Sequence, residues 1–281
     1  MWHSRSLLAD TMHDEPYILH KAQGDPLPIL ISVPHCGIEF PVGEAGLYHE
    51  AVVQRVEDTD WCVHDLYDFA PRLGITVIQA RFSRYVVDLN RNPAGEMLYS
   101  DGRTETPVVP LHTFSGLPIY RSFVSNPEFI AARVKNFHEP YYERIGALLS
   151  DLRNCYKEVL FFDAHSIRRQ VPQIPGSPFP DLMLGDRDGS AAGADVSEIA
   201  FRELRRGAVY EVVKNFPFKG GNLTRHWGKP KYGIHALQLE MSQDLYLDAE
   251  RHVLDQAKCI KLRPILQRML EALAERLKVT V

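Results

Sequence analysis

Two histidines in this chain each stand close to the end of a short apolar segment. His35 lies in the motif P-H-C-G after residues 29–33, and His165 lies in the motif D-A-H-S after residues 159–162. Apolar segments of this length are typical of buried strands in α/β sheets, which bind ligands at the carboxyl ends of their strands. Two histidines and a carboxylate from separate strand ends form the usual three-ligand catalytic zinc site. The pair therefore predicts a site for one Zn²⁺, or another divalent transition metal ion, per chain. Two hydrogen-bonded core histidines are the simpler alternative.

Three acidic residues are candidates for the third metal ligand. Glu39 lies four residues after His35, and Asp58 and Asp60 flank Thr59 where the next predicted helix begins. Acidic residues often cap helix N-termini, so either aspartate could be a cap. One cap requires only one of them, which leaves the other available to a metal ion.

The segment R-Y-V-V-D-L-N-R, residues 84–91, carries an arginine at each end. Alternation along a predicted strand over 85–89 places Arg84 and Asp88 on the same face. Guanidinium groups bind carboxylates through two parallel hydrogen bonds, so Arg84 and Arg91 suit a small anionic substrate. A surface salt bridge between Arg84 and Asp88 is the alternative.

A carboxylate interrupts the apolar segment L-Q-L-E-M-S at Glu240. Burial would raise the pKa of this carboxyl toward neutrality, as the general base of a hydrolase requires. Pairing with a nearby arginine is the alternative. Just upstream, a glycine-rich region offers Thr224, Arg225 and His235 as groups that could hold a substrate, or that simply face solvent.

Composition and charge exclude several classes of protein. The chain has 281 residues and a net charge of −4, without a basic stripe for nucleic acid. No apolar run approaches the ~18 residues that span a membrane, and the first residues lack the apolar core of a signal peptide. The four cysteines are scattered without C-x-x-C spacing. This pattern favours a reduced, cytoplasmic enzyme.

Cys36 offers a rival chemistry, because it lies next to His35 and could act as the nucleophile of a cysteine amidase. Adjacent residues at a strand end point to opposite sides, which disfavours a nucleophile–base pair.

Alternating strands and helices predict one α/β domain over residues 1–281, with a mainly parallel or mixed sheet. The predicted strands are 29–33, 75–80, 85–89, 159–163, 181–184, 208–213 and 236–241. The predicted helices are 61–73, 127–155 with a kink at Pro140, 194–206, and 253–278 with an interruption near Pro264. Polar stretches at 93–118 and 168–180 are predicted lids or binding loops.

Five motifs occur in order between about Ile29 and Leu245: S-V-P-H-x-G, D-T-D-W, F-S-R-x-x-x-D-x-N-R-x-P, D-A-H-S and Q-x-E-x-S-Q-D-L. Together they resemble the N-formylglutamate amidohydrolase (N-formylglutamate deformylase) family. That family is similar to zinc carboxypeptidases and to the aspartoacylase and succinylglutamate desuccinylase group. The resemblance implies a zinc-peptidase-like (phosphorylase/hydrolase-like) fold, a three-layer α/β/α arrangement with a mixed, mainly parallel sheet.

The resemblance also implies roles for individual residues. His35 and His165 match the metal histidines, and Glu240 matches the general base. Arg91, with Asn90 beside it, matches the arginine that holds a substrate carboxylate, and Arg84 resembles the arginine that polarises the scissile carbonyl.

One position departs from the pattern. Related carboxypeptidases have H-x-x-E, but Ile38 stands three residues after His35, so the acidic ligand is expected at Asp60, with Asp58 the close alternative. Arg91 and Arg225 would bind the two carboxylates of the substrate.

The implied reaction is the hydrolysis of N-formyl-L-glutamate to L-glutamate and formate, a late step of histidine degradation. Two alternatives remain open. One is a deacylase of another N-acyl amino acid or small acidic N-formyl amide, as in aspartoacylase, and the other is a non-catalytic binding protein on the same fold. The expected partner is the small-molecule substrate, and the oligomeric state is left open.

Overall fold

The computed structural model describes residues 15–97, 105–122 and 126–281. Its strands are β1 (Tyr17–His20), β2 (Ile29–Val33), β3 (Thr76–Ala80), β4 (Val159–Ile167), β5 (Leu182–Gly185), β6 (Val212–Lys214), β7 (Ile234–Ser242), β8 (Leu247–Asp248) and β9 (Val253–Leu254). Its α-helices are α1 (Glu50–Gln54), α2 (Val63–Leu66), α3 (Pro127–Arg133), α4 (Glu139–Cys155), α5 (Ala194–Arg205), α6 (Asn222–Trp227) and α7 (Gln256–Leu277). A π-helical turn, Val134–His138, joins α3 to α4, and short 3₁₀ turns occupy Ala45–Leu47, Ala70–Leu73, Pro230–Tyr232 and Gln243–Leu245.

Among the described residues, seven strands form one sheet in the order β1-β3-β2-β4-β7-β5-β6. Strands β3, β2, β4 and β7 run parallel to one another, whereas β1 pairs antiparallel with β3 and β5 pairs antiparallel with β7. The α/β class with a mixed, mainly parallel sheet is therefore confirmed.

Helices cover both faces of the central strands. One face packs against α2, α5 and α7 through an apolar cluster that includes Ile31, Phe162 and Leu239. The other face packs against α4 and α6 through a second cluster that includes Leu30 and Phe161. This gives three layers and buries β2 and β4 on both sides, which explains the consecutive apolar residues at 29–31 and 159–162.

The second face changes from apolar to polar along its strands. Since side chains alternate between faces, residues two apart share a face. The amino-terminal halves contribute apolar side chains, and the carboxyl-terminal halves contribute polar ones on that same face: Ser32 of β2, Asp163 and His165 of β4, and Gln238 and Glu240 of β7. The polar groups thus collect at the carboxyl edge of three adjacent strands.

The central strands match their predicted positions, and β2 does so residue for residue. The predicted strand 85–89 is wrong: this buried segment forms turns, in which Ser83 Oγ accepts from Tyr85 N and Asp88 Oδ1 accepts from Asn90 N. Side-chain acceptors that satisfy nearby backbone N–H groups replace the partners that a strand would need.

Two predicted helices also differ from the structure. Helix 61–73 is divided into α2 and a 3₁₀ turn that contains Pro71, although Gly74 ends the segment with φ 89° as expected. The interruption near Pro264 is absent, because α7 runs through that exposed residue while Leu262 and Leu266 remain packed on the sheet. Between 126 and 155 the helix begins at Asn126 as predicted, and its irregular turn precedes Pro140.

A core truncation tests this arrangement. Phe161 is fully buried in the amino-terminal half of β4. Phe161→Ala is expected to lower the free energy of unfolding by about 3–5 kcal/mol, because the lost side chain leaves a cavity. Ile260→Ala is the matched control on α7, where the side chain is 74% exposed, and the expected change is below about 0.5 kcal/mol. Urea unfolding of both variants measures the difference, and equal effects would contradict the buried position of Phe161.

None of the helices in the described part of the chain is long and apolar enough to cross a membrane.

Candidate metal centre and active site

His35, Asp60 and His165 converge at the carboxyl edge of the sheet. One potential ligand atom from each lies within 4.8 Å of the others, and all three residues are buried. Asp60 Oδ2 lies 3.0 Å from His165 Nδ1 and 3.9 Å from His35 Nδ1. The two imidazole Nδ1 atoms therefore face one carboxylate oxygen, as three ligands of one metal ion would.

The chain brings these residues together by different means. His165 lies inside β4, two residues before its end, and His35 lies in the turn after β2. Asp60 N donates a hydrogen bond to the His35 carbonyl at 3.0 Å, which holds the 56–60 loop against that turn. Neither Asp58 nor Asp60 caps α2, whose N-cap is Cys62.

A second carboxylate contacts the other ring nitrogen of each histidine. His35 Nε2 lies 2.7 Å from Asp88 Oδ1, and His165 Nε2 lies 3.1 Å from Asp163 Oδ2. An ionised carboxylate can only accept, so these contacts hold a proton on Nε2 of each histidine and leave Nδ1 as the atom for a metal ion. Metal binding would require His165 Nδ1 to give up the proton that it shares with Asp60 Oδ2. This donor set, two imidazole nitrogens and one carboxylate oxygen from residues that line a cavity, fits a catalytic Zn²⁺.

The buried carboxylates make the centre attractive to positive charge. Burial alone would lower the pKa of His165, but Asp163 and Asp60 outweigh it and raise that pKa well above its usual range. The pKa of His35 is instead lowered, by burial and by the nearby Arg84 guanidinium. A dication between the Nδ1 atoms and Asp60 would compensate the negative potential of this buried cluster.

Glu240 lies beside His165 at the carboxyl edge of the sheet. It pairs in register with His165 on the neighbouring strand, so the two side chains lie side by side on one face. Burial raises the pKa of the Glu240 carboxyl to about 8, and its Oε2 accepts a long hydrogen bond of 3.5 Å from Gln238 Nε2. The carboxyl is thus poised to exchange a proton near neutral pH.

A cavity of about 390 Å³ opens directly over these groups. Its wall includes Glu240, Arg84, Asn90 and Arg91, together with described parts of both predicted loops: 105–107, 111–114, 168 and 173–175. Residues from the described parts of 93–118 and 168–180 thus line the cavity. The closing of these segments as lids stays a prediction.

The arginines on the cavity wall are already oriented. Arg84 Nη2 donates to Asp88 Oδ2 at 2.7 Å, and its guanidinium lies 4.9 Å from the centre of the Phe114 ring. The Arg84–Asp88 salt bridge considered from the sequence is therefore present, but it is buried rather than on the surface. Arg91 Nε donates to Thr106 Oγ1 at 3.2 Å.

Four candidate residues do not line the described part of this cavity. His235 lies at the other end of β7, between Gly193 N and Glu158 Oε1, and Glu39 is exposed beside Arg81. Thr224 and Arg225 lie on α6, where Thr224 is buried and Arg225 Nη1 donates to the Met97 carbonyl.

Asn90 links the His165 side of the centre, on β4, to helix α6. Its amide nitrogen donates to Asp163 Oδ2 at 3.4 Å and lies 3.1 Å from His165 Nε2, while its oxygen accepts from Leu223 N. The sequence reasoning missed Asp163 as a partner of His165 and Asp88 as a partner of His35, although both stand in the quoted motifs. It also missed Arg168, which lines the cavity three residues after His165.

Cys36 lies apart from the cavity wall. Its Sγ donates to the Val33 carbonyl at 3.4 Å, and burial raises the pKa of the thiol well above its usual range. A buried neutral thiol is a poor nucleophile.

Cys36→Ala is therefore expected to leave kcat/KM for amide hydrolysis within about threefold of wild type. Formate release by the purified variant is the measurement, and loss of turnover in a folded, metal-loaded variant would restore the cysteine mechanism.

Comparisons with known proteins identify the family of this chain. The family model for N-formylglutamate amidohydrolase matches residues 27–247. The chain is 36% identical over 250 residues to N-formylglutamate deformylase of Pseudomonas aeruginosa, covering 88% of this chain and 92% of that protein. It is 35% identical to N-formylglutamate deformylase of Pseudomonas putida, covering 89% and 95%. The crystal structure of N-formylglutamate amidohydrolase from Ralstonia eutropha JMP134 superposes with a TM-score of 0.78 at 25% identity, covering 94% of this chain and 99% of that one. The chain belongs to the N-formylglutamate amidohydrolase family.

Proposed function

We propose that this chain hydrolyses N-formyl-L-glutamate to L-glutamate and formate. The observation that carries the proposal is the buried Glu240 beside the His35–Asp60–His165 group, in a cavity whose wall also carries three arginines, Arg84, Arg91 and Arg168. The names of the two Pseudomonas relatives support the same substrate. The proposal treats residues 1–281 as one catalytic domain and the reaction as a late step of histidine degradation.

We also propose that the reaction depends on a metal ion held by His35, Asp60 and His165. Bound there, Zn²⁺ would supply a Lewis acid that lowers the pKa of water and polarises the formyl carbonyl. Asp88 and Asp163 contact the Nε2 atoms of the two imidazoles. These contacts orient the rings so that the Nδ1 atoms can bind the metal ion.

Glu240 moves the proton in this mechanism. Its carboxylate accepts a proton from the attacking water as the new carbon–oxygen bond forms. It then donates that proton to the amide nitrogen as the carbon–nitrogen bond breaks, so that formate and the free amine leave. Burial raises the pKa of the Glu240 carboxyl toward neutrality, which suits a group that must first accept and then donate a proton.

The arginines bind charge that the substrate carries or develops. Arg84 is held by Asp88 on the cavity wall, where its guanidinium can stabilise the developing oxyanion. Arg91, held by Thr106, is placed to bind a substrate carboxylate. A formyl group needs little room, so these cationic contacts would determine most of the selectivity.

Metal analysis combined with a formate assay tests the proposal. Protein purified without added metal is expected to contain about one zinc ion per chain. It should release formate from N-formyl-L-glutamate, lose that activity on chelation, and recover it with Zn²⁺. Formate release that survives complete metal removal would overturn the metal mechanism. Bound metal without formate release, but with release of another acyl group, would favour the related N-acyl amino acid deacylase.

A further inference from the structure

Asp58 lines the cavity, and one of its two carboxylate oxygens is buried without a hydrogen-bond partner among the described residues. The residue is 6% exposed and lines the cavity. Its Oδ2 accepts a hydrogen bond from Phe114 N at 2.8 Å, but its Oδ1 has no hydrogen-bond partner among the described residues. An acceptor buried without a donor costs free energy, so such an atom in a cavity wall points to a donor on the ligand.

Arg168 lies beside that oxygen. Its Nη2 is 3.7 Å from Asp58 Oδ1, which is too long for a hydrogen bond, and its side chain is 42% exposed. Arg84, by contrast, is buried and hydrogen-bonded to Asp88. The Arg168 guanidinium can therefore bind an incoming carboxylate without first breaking a hydrogen bond to Asp58.

Asp58 and Arg168 are complementary to the two polar groups on the α-carbon of an N-acyl amino acid, the amide N–H and the α-carboxylate. The amide N–H of such a compound is a donor, and its α-carboxylate carbon is only two bonds from the amide nitrogen. Asp58 Oδ1 and the Arg168 guanidinium are 3.7 Å apart. They can therefore bind the amide N–H and the α-carboxylate of one substrate molecule at the same time. The side-chain carboxylate of glutamate lies further along the carbon chain from the nitrogen than the α-carboxylate does, so it would reach a different part of the wall.

We propose that Asp58 and Arg168 form the α-carbon subsite, in which Asp58 Oδ1 accepts the scissile amide N–H and the Arg168 guanidinium binds the α-carboxylate. This inference rests on the proposed function and assigns two residues of this chain to the groups on the α-carbon of the substrate. Arg91, which lines another part of the cavity beside Thr106, is then left for the side-chain carboxylate.

The competing role for Asp58 is that of the acidic metal ligand. The geometry favours Asp60 instead, since the convergent group contains His35, Asp60 and His165. Asp58 Oδ2 is also already engaged by the backbone of the 105–114 loop.

Truncated substrates separate the two carboxylate contacts. N-formyl-L-norvaline keeps the α-carboxylate and lacks the side-chain one, whereas 4-formamidobutanoate keeps only the distal carboxylate. Arg168→Met is expected to lower kcat/KM about a hundredfold for N-formyl-L-glutamate and N-formyl-L-norvaline, because a charged hydrogen-bonding partner is lost. For 4-formamidobutanoate, which has nothing for Arg168 to bind, the change should be below about threefold. A truncated compound that turns over too slowly is measured as a competitive inhibitor.

Arg206→Met is the matched control. Arg206 is an exposed arginine 3.5 Å from Glu203, and it lies outside the cavity wall. Its loss should leave kcat/KM unchanged for all three compounds.

Asp58→Asn tests the other contact. Phe114 N requires an acceptor, so the oxygen of the substituted amide side chain would face that N–H and its NH₂ group would face the substrate N–H. We expect kcat/KM for N-formyl-L-glutamate to fall about 10–100-fold, with metal content unchanged. For N-formyl-N-methyl-L-glutamate, which has no N–H, the variant and wild type should differ by less than about threefold.

The outcomes distinguish this inference from the proposed function. If the wild-type protein releases no formate from N-formyl-L-glutamate, the proposed function fails first. If wild type is active and Arg168→Met affects 4-formamidobutanoate as much as N-formyl-L-norvaline, or affects neither, the subsite assignment is overturned. Loss of metal from Asp58→Asn would likewise overturn the role of Asp58 in binding substrate.

Discussion

Glu240→Gln is expected to lower kcat for formate release by about 10³–10⁴-fold, at the upper end of what a general base contributes. Glutamine has the same shape, but it cannot accept the proton of the attacking water or return it to the leaving amine. Because Glu240 is not part of the His35–Asp60–His165 group, the variant should still bind its metal ion. The loss should therefore appear in kcat, with little change in metal content.

Glu203→Gln is the matched control for this experiment. Glu203 and Glu240 are both 7% exposed, but Glu203 lies on α5 and is bound by arginines outside the cavity. Its substitution can change stability without changing kcat. Steady-state kinetics and metal analysis on both variants make the comparison, and near wild-type turnover by Glu240→Gln would remove Glu240 from the mechanism even with the metal in place.

The sequence predicts secondary structure best in strands whose residues are all buried. Residues 29–33 and 159–163 are predicted as strands because strands covered on both faces carry mostly apolar side chains, and the structure has both. The segment 85–89 is just as buried and nearly as apolar, but it is a turn. The apolar composition indicates burial for the strands and for segment 85–89 alike. It does not indicate that the side chains of Ser83 and Asp88 accept hydrogen bonds from nearby backbone N–H groups.

The candidate site was predictable in part for a related reason. Strand ends on one sheet edge meet, so His165 and Glu240 could be placed together from their positions in two strands. The partners of the histidines could not, since Asp88 contacts His35 from 53 positions away in the sequence. Such a contact depends on how a turn folds over the sheet.

His235 shows the converse error. It is close to Glu240 in the sequence, but five residues of extended strand span about 16 Å. The same strand that brings Glu240 to the carboxyl edge therefore carries His235 to the opposite edge, where Gly193 N and Glu158 bind it. Residues two apart on a strand can share a site, as Asp163 and His165 do, but residues five apart are too far from each other.

The third metal ligand is the remaining choice that the sequence left open, and Asp60→Asn is expected to decide it. The neutral amide cannot compensate the charge of a dication as a carboxylate does, so metal affinity should fall at least about a hundredfold. The fold should persist, because the amide oxygen can still accept from Ser166 N, which donates to Asp60 Oδ2 at 3.1 Å. Competition with a chelator of known affinity measures the change.

Asp58→Asn and Glu39→Gln complete the comparison, since both residues were candidates for the same role. Neither belongs to the convergent group: Asp58 Oδ2 is bound by Phe114 N, and Glu39 is exposed beside Arg81. Both variants should therefore bind metal as wild type does. If Asp60→Asn kept full affinity while Asp58→Asn lost it, the ligand would be Asp58. The metal centre would then use a different carboxylate, and the α-carbon subsite would lose its acceptor. The metal affinities of these three variants thus test whether the two aspartates around Thr59 have different roles, with Asp60 binding the metal and Asp58 binding the substrate.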